Sequence, residues 1–474
     1  MEETQKKSIR SWVDSQKDSL ILDLVKIVNL ESVSHPEPEK GKQTPFGEGC
    51  QRALHAMLER GSSMGLCAAN YEERLGSLSL RGEERCSPER VIGVWTHLDV
   101  VPAGEGWQYK PFDAVYEDGM VIGRGAQDNK SAAIMGLYLL KGLKDLDISL
   151  EHPVALYLGC SEECGMQDLD YFLKHYHAPG LSLIADCGFP ACYGEKGSMT
   201  FEIRTGRKSL LSDVKVDAGT AHNIVPGTAR VRFAVDGETY TVEAEGVSGH
   251  SAFPEGSVNA IEGLLGKMMV HSKIPEEEKN TLRPFWNFVK TTDGSAAGIQ
   301  KEDPLLGNLT CCGTILTCKD NVWALSLDLR YPDSADPAWI VRKITSVAEA
   351  QGCIAEQKSH LPSFGLKPDH PVVKKLTEVY NQETGRSDQA YSMAGGTYAA
   401  KLPRAIPFGI AFADKRKIQE KFPKGHGDYH QPDEAVIIDQ ILDALYIYLV
   451  GMVELDALLT EYERNEVTIW ETTV

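Results

Sequence analysis

The chain has 474 residues, a formal net charge of −19 and a pI of about 5.2, with hydrophobic residues at 42% and charged residues at 25%. That length exceeds one ordinary core and argues for two domains. The acidic balance argues against nucleic acid or an anionic membrane as partner, because phosphate contacts need clustered Lys and Arg.

Residues 8–30 predict one amphipathic helix with Leu20, Ile21, Leu24, Val25 and Val28 on a face. A Pro- and Gly-rich loop (31–47, with His35), a helix (48–60) and short strands (64–82) follow. Val91 to Thr96 is an apolar, β-rich run that predicts a buried strand. Lys130 to Lys144 is apolar at helical spacing. Val154–Gly159 and Leu181–Ala185 read as two more strands, and strand–helix–strand order suits an α/β sheet. From 198 to 250, short alternating runs such as TFEIRT and ARVRFAV predict a mixed or antiparallel sheet. Helices are expected over 257–272, 337–352 and 370–384, and a strand over Trp323–Pro332. Residues 273–310 carry only weak pattern. After 386 the chain reads as turn, strand (Ala405–Phe412), long Lys-rich loop and final helix over about 433–452. No signal-peptide core or bilayer-length apolar run is present, which predicts a cytoplasmic protein. The 11 Cys are expected as reduced thiols, and Cys311, Cys312 and Cys318 are poorly spaced for a structural zinc.

Three strands in succession end in chemistry-bearing residues. His97 and Asp99 follow the first, Glu162 and Glu163 the second, Asp186 the third. Asp128 closes a Gly-rich turn before a helix, and His430 lies far downstream in GDYHQPDE. Taken singly, these are a loop His, a capping Asp and a solvated Glu pair. Taken together at strand ends, where open sheets gather ligands, they suit two zinc ions. Asp128 would bridge, His97 and Asp186 would complete one site, Glu163 and His430 the other, and a water would be shared. In extended chain the two Glu side chains point apart. That leaves Glu162 to take the water's proton and pass it to the leaving amine. Asp99 is placed to hold the His97 imidazole.

THLDVVPAG, GRGAQDNK, SEECG, DCGFPACYGEKG, GHSAFPEG, LRYP, GGTYA and YHQPDE occur in the order of the cocatalytic-zinc peptidase family. That family includes aminoacylases, glutamate carboxypeptidases, desuccinylases and dipeptidases, and the chain is most similar to its PepV-like dipeptidases. The resemblance implies an α/β, phosphorylase/hydrolase-like catalytic domain, a mixed sheet flanked by helices, split by an inserted α+β lid. Boundaries would fall at 1–196, 197–385 and 386–474. It implies the same five metal ligands, Glu162 as general acid/base and Asp99 as the orienting carboxylate. It also implies substrate contacts from Asn223, His250, Arg330, Gly396 and Thr397. An Asn and an Arg suit a terminal carboxylate, and His250 an oxyanion. Asn129 departs from the pattern, standing where many relatives carry a second Asp. The implied activity is hydrolysis of dipeptides with a free amino terminus by two Zn²⁺, with Mn²⁺ or Co²⁺ as substitutes. The alternatives are an N-acyl-amino-acid deacylase or desuccinylase and a non-catalytic metal- or peptide-binding protein. The chain is expected as a monomer or as a homodimer through the lid.

Overall fold

A computed structural model describes residues 1–35, 44–82 and 86–470 of the chain. Part of the loop expected over 31–47 lies outside the described residues. The chain forms two compact units. The first joins Met1–Tyr193, Leu366–Tyr391 and Thr397–Val474, and the second joins Gly194–Gly365 and Ser392–Gly396. The helix Pro371–Thr384, on the insert side of the boundary expected at 385, lies in the first unit, where it packs on the C-terminal helix.

The first unit is built on a six-stranded mixed sheet. Its order is Cys67–Tyr71, Leu75–Ser79, Val154–Gly159, Ile92–His97, Leu181–Ile184, Ala405–Pro407. The last four run parallel, and the second strand is antiparallel to both of its neighbours. Successive side chains of a strand alternate between faces. Ile92, Val94, Leu156 and Leu183 join the main core under the helix Lys130–Asp145. From the other face Trp95 stacks on Tyr157, and both meet Phe172 edge-on. Apolar side chains on both faces are what a sheet covered by helices on both sides requires.

Two helices, Glu3–Ser15 and Lys17–Val28, replace the single one expected over 8–30, with the break at Gln16. The final helix runs Ile438–Arg464 and buries Ile441, Leu445, Leu449 and Leu455. The Lys-rich loop holds a short helix, Arg416–Lys421. A small antiparallel sheet pairs Val115–Glu117 with Met120–Ile122 and the latter with Ala435–Ile437. It anchors the segment that carries His430.

The second unit is α+β. A four-stranded antiparallel sheet runs Thr310–Lys319, Val322–Tyr331, Gly197–Thr205, Cys353–Leu361. Met199, Phe201 and Ile203 alternate into its core with Leu325, Leu327 and Leu329. The weakly patterned 273–310 region contains the helix Glu276–Val289, with three Glu in its first turn and Pro284 inside. No disulfide joins any of the eleven cysteines. Among the described residues no helix is long and apolar enough to cross a membrane.

Candidate metal centre

Parallel pairing sets where the functional side chains emerge. His97 lies in register with Gly159, and Trp95 with Ile184. The carboxyl ends of three neighbouring strands therefore finish together. His97 is the last residue of one, Glu162 and Glu163 follow the second, and Asp186 follows the third. The turn Gly123–Asn129 brings Asp128 to the same edge.

Asp128 offers one carboxylate oxygen to each of two imidazoles. Its Oδ1 is 3.0 Å from His97 Nε2 and its Oδ2 is 3.1 Å from His430 Nε2. His430 Nε2 also lies 3.0 Å from Glu163 Oε1, and His97 Nε2 lies 3.6 Å from Asp186 Oδ2. Ligand atoms of His97, Asp128 and Glu163 fall within 4.8 Å of one another, and so do those of His97, Glu162 and Asp186. Glu162 thus stands among the candidate ligands as closely as its neighbour, but it is Glu163 that reaches His430. The two glutamates sit on a turn, not on extended chain.

Asp99 acts differently from the sequence expectation. The nearest acceptor for His97 Nδ1 is the Asp99 backbone carbonyl, at 2.9 Å. The Asp99 carboxylate is 3.5 Å away and instead accepts the backbone N–H groups of Glu162 and Glu163, at 3.1 and 3.0 Å. A buried carboxylate is thereby paired twice, and the Glu turn is held against the strand bearing His97. Donation from Nδ1 leaves His97 Nε2 free to serve the site.

Five carboxyl groups around two imidazoles concentrate negative charge. Burial opposes charge on His97, but Asp186, Asp128 and Asp99 outweigh it and hold the imidazole well above its usual range. Asp128 and Glu163 push His430 up to about 10, against its partial burial. Burial raises Asp186 to about 7; His97 opposes this, and Asp128, Glu163 and Asp99 add to it. Burial likewise lifts Glu162 well above the carboxylate range, opposed by His97 and reinforced by Asp186, Glu163 and Asp128. A site that holds protons this strongly on imidazole favours cations, and its mixed nitrogen and oxygen donors are those zinc takes.

A family model described as peptidase family M20/M25/M40 matches residues 93–451. The chain belongs to peptidase family M20. A protein of Bacillus subtilis (strain 168) named "Putative dipeptidase YtjP" is 27% identical, covering 93% of this chain and 98% of its own. The fold is also that of human carnosine dipeptidase 1, with TM-score 0.60 at 13% identity over 95% of this chain and 99% of that one. A Bacillus subtilis M20 protein titled a dinuclear metal binding peptidase has TM-score 0.51 at 11% identity, over 93% and 98% of the two chains.

Several residues that support the centre of this M20 peptidase escaped the sequence reading. Glu434, wholly buried, accepts the backbone N–H groups of Gly125, Gln127 and Asp128 at 3.1, 2.8 and 2.9 Å and the Arg124 guanidinium at 2.7 Å. Asp433 Oδ1 accepts the N–H groups of Gln108 and Tyr109, and Oδ2 lies 2.7 Å from His426 Nδ1. Asp168 accepts the N–H groups of Cys160 and Ser161 and the Tyr398 hydroxyl, bracing the start of the Glu turn. The only signal for Glu434 and Asp433 was their place in YHQPDE.

Asn129 has a physical reason to be an amide. Its Nδ2 donates to the Ala185 carbonyl at 2.9 Å and to Asp186 Oδ1 at 2.8 Å, and its Oδ1 accepts the His97 N–H at 3.3 Å. An ionised Asp has no donor for the first two. The side chain so engaged does not cap the helix Lys130–Asp145 that it precedes.

The expected substrate contacts divide between the units. In the second, Ile224 pairs with His250, which sets Asn223 beside it, and the Asn223 carbonyl accepts the Ser251 N–H at 3.0 Å. Asn223 and His250 are both exposed. Arg330 donates to Asp328 at 3.1 and 3.4 Å and to the Ala394 carbonyl at 3.3 Å. A Cβ on Gly396 would lie 2.1 Å from Leu361 Cδ2, so any larger residue there would require that leucine to move. Thr397 belongs to the first unit and accepts the Ala399 N–H at 3.2 Å.

Proposed function

We propose that this M20 metallopeptidase is a dipeptidase that hydrolyses dipeptides with a free amino terminus at a dinuclear zinc centre. His97, Asp128, Glu163, Asp186 and His430 would hold the ions. The observation that carries the reading is the disposition of Asp128, one oxygen toward each imidazole, as a bridging carboxylate requires. Bound there, paired divalent ions would lower the pKa of water and polarise the scissile carbonyl. Glu162 would take the proton of the attacking water and deliver it to the leaving amine, a transfer suited to a carboxyl lifted above its usual range. Asp99 would keep Glu162 and Glu163 in place through their backbone. Asn223, His250, Arg330, Gly396 and Thr397 would bind substrate. The relatives' names support dipeptides over longer chains.

The test is metal analysis and a substrate panel on one preparation. The expected result is about two metal ions per chain, loss of turnover on chelation, recovery with Zn²⁺, Mn²⁺ or Co²⁺, and cleavage of free dipeptides. Hydrolysis of N-acetyl or N-succinyl amino acids alone would replace the dipeptidase reading with that of a deacylase.

A further inference from the structure

The two imidazoles of the centre are held differently. His97 ends a strand of the central sheet, and its side chain is 1% exposed. His430 sits on a loop, half-exposed, at φ +60°. It is the third residue of a turn that the Gln431 N–H closes on the Asp428 carbonyl at 3.1 Å. A positive φ at that place favours glycine. A histidine holds it only where the surroundings impose it.

Asp428, two residues before His430, supplies that constraint. Its Oδ1 accepts the Tyr429 N–H at 2.9 Å, the Gln127 Nε2 at 3.1 Å and the Lys415 ammonium at 2.6 Å. The first bond pins the start of the turn. The second reaches the residue directly before Asp128. Gln127 also donates its backbone N–H to Glu434, four residues after His430, at 2.8 Å. One glutamine therefore grips the His430 segment on both sides. Its side-chain oxygen has no partner, so the bond to Asp428 is what places the amide. The third bond comes from an anchored base. Lys415 directly precedes the helix Arg416–Lys421, which buries Ile418 with Met120, Ile122 and Ile437. The same ammonium lies 5.1 Å from the centre of the Tyr429 ring, which meets the His430 ring edge-on at 5.6 Å.

We infer that Asp428, gripped by Lys415 and Gln127, is a positioning residue for His430 and sets the affinity of the metal site that His430 shares with Glu163. His97 and Asp186 ride on strand ends that this latch does not touch, so the other site is independent of it. The Lys415–Asp428 pair is part-exposed and individually modest; most of the effect belongs to the acceptor that Asp428 offers all three donors. This rests on the dinuclear reading.

The test is competition of the Zn²⁺-loaded full chain with a chromophoric chelator, resolving each ion, in wild type, Asp428→Ala, Asp428→Asn, Lys415→Met and His430→Ala. Asp428→Ala should weaken one ion about tenfold or more, in the range that supporting partners of metal ligands command, and leave the other near wild type. Asp428→Asn keeps an oxygen for Tyr429 and Gln127 and should lose less. Lys415→Met should weaken the same ion severalfold. Its sign is decisive, because removing a positive charge beside a cation site would by Coulomb's law alone tighten binding. The double variant Asp428→Ala/His430→Ala should bind its remaining ion as His430→Ala does. Tighter binding in Lys415→Met, or a loss in Asp428→Asn equal to that in Asp428→Ala, overturns the latch in favour of a plain charge effect. Two ions of unchanged affinity in Asp428→Ala overturn it outright. A wild type that binds a single ion removes the dinuclear reading and the latch with it.

Discussion

Replacing Glu434 by Gln tests whether the buried carboxylate, and not merely the shape of the side chain, holds the Asp128 turn. Glu434, wholly buried, faces four donors, three backbone N–H groups and the Arg124 guanidinium. Gln keeps one oxygen but turns an NH₂ toward two of those donors and leaves the Arg124 charge, itself 1% exposed, without a counter-ion. Breaking a buried ion pair from one side costs about 3–5 kcal/mol. For a unit of this size that corresponds to a fall of roughly 5–8 °C in the unfolding midpoint. Metal should also bind more weakly, because either orientation of the amide turns an NH₂ toward an N–H donor of the Gly125–Asp128 turn that fixes the direction of the Asp128 carboxylate. Thermal unfolding and titration against a chromophoric chelator measure the two effects. In the double variant Arg124→Met/Glu434→Leu the unpaired cation is gone, but the three orphaned N–H groups, at about 1–3 kcal/mol each, should keep both the midpoint and the metal affinity low. A Glu434→Gln protein with wild-type midpoint and wild-type metal affinity would refute the clamp.

Three further outcomes are expected. Glu162→Gln should lower kcat by about 10²–10⁴-fold while retaining metal; turnover near wild type would strip Glu162 of the proton-transfer role. Asn129→Asp should weaken metal binding or alter its stoichiometry, because a carboxylate would face Asp186 Oδ1 where a donor now stands at 2.8 Å; unchanged stoichiometry and affinity by elemental analysis and chelator titration would count against the positioning role. His152 lies 2.8 Å from Asp456 and 2.9 Å from Glu463, away from the centre. Burial lowers its affinity for a proton, but the two carboxylates more than compensate and raise it. Its folded value exceeds its unfolded one, so its contribution to stability is full below the ordinary imidazole range and fades as pH rises through the elevated one. His152→Gln should flatten the decline of the unfolding midpoint over that window, and a parallel decline in the variant would discount the residue.

Much of the scaffold was legible because it rests on local pattern. Ile92–Thr96 and Val154–Gly159 are uninterrupted apolar runs of strand length, and the helix after Asp128 repeats its apolar residues at helical spacing. Strand ends then collected His97, Glu162, Glu163 and Asp186 at one edge, which follows from parallel pairing. His430 had no such signal; only the order of the motifs tied it to the others. The helix Glu276–Val289 was missed because Pro284 interrupts it, although the three Glu at its start are a recognisable helix opening. The Glu pair was expected in extended chain, but Asp99 and Asp168 accept the backbone N–H groups that shape the turn. Glu434 drew no reading of its own, since nothing local to YHQPDE discloses that its partners lie some three hundred residues earlier.

That long span has a consequence for biosynthesis. The donors of the Gly125–Asp128 turn are made early, but the acid that satisfies them emerges from the ribosome only with the final stretch of the chain. So does His430, four residues before it. Until then the turn's N–H groups lack this acceptor and the site lacks the second imidazole. A metal-competent centre therefore arises late, by closure of one of the longest loops in the chain, after the intervening insert has had time to fold.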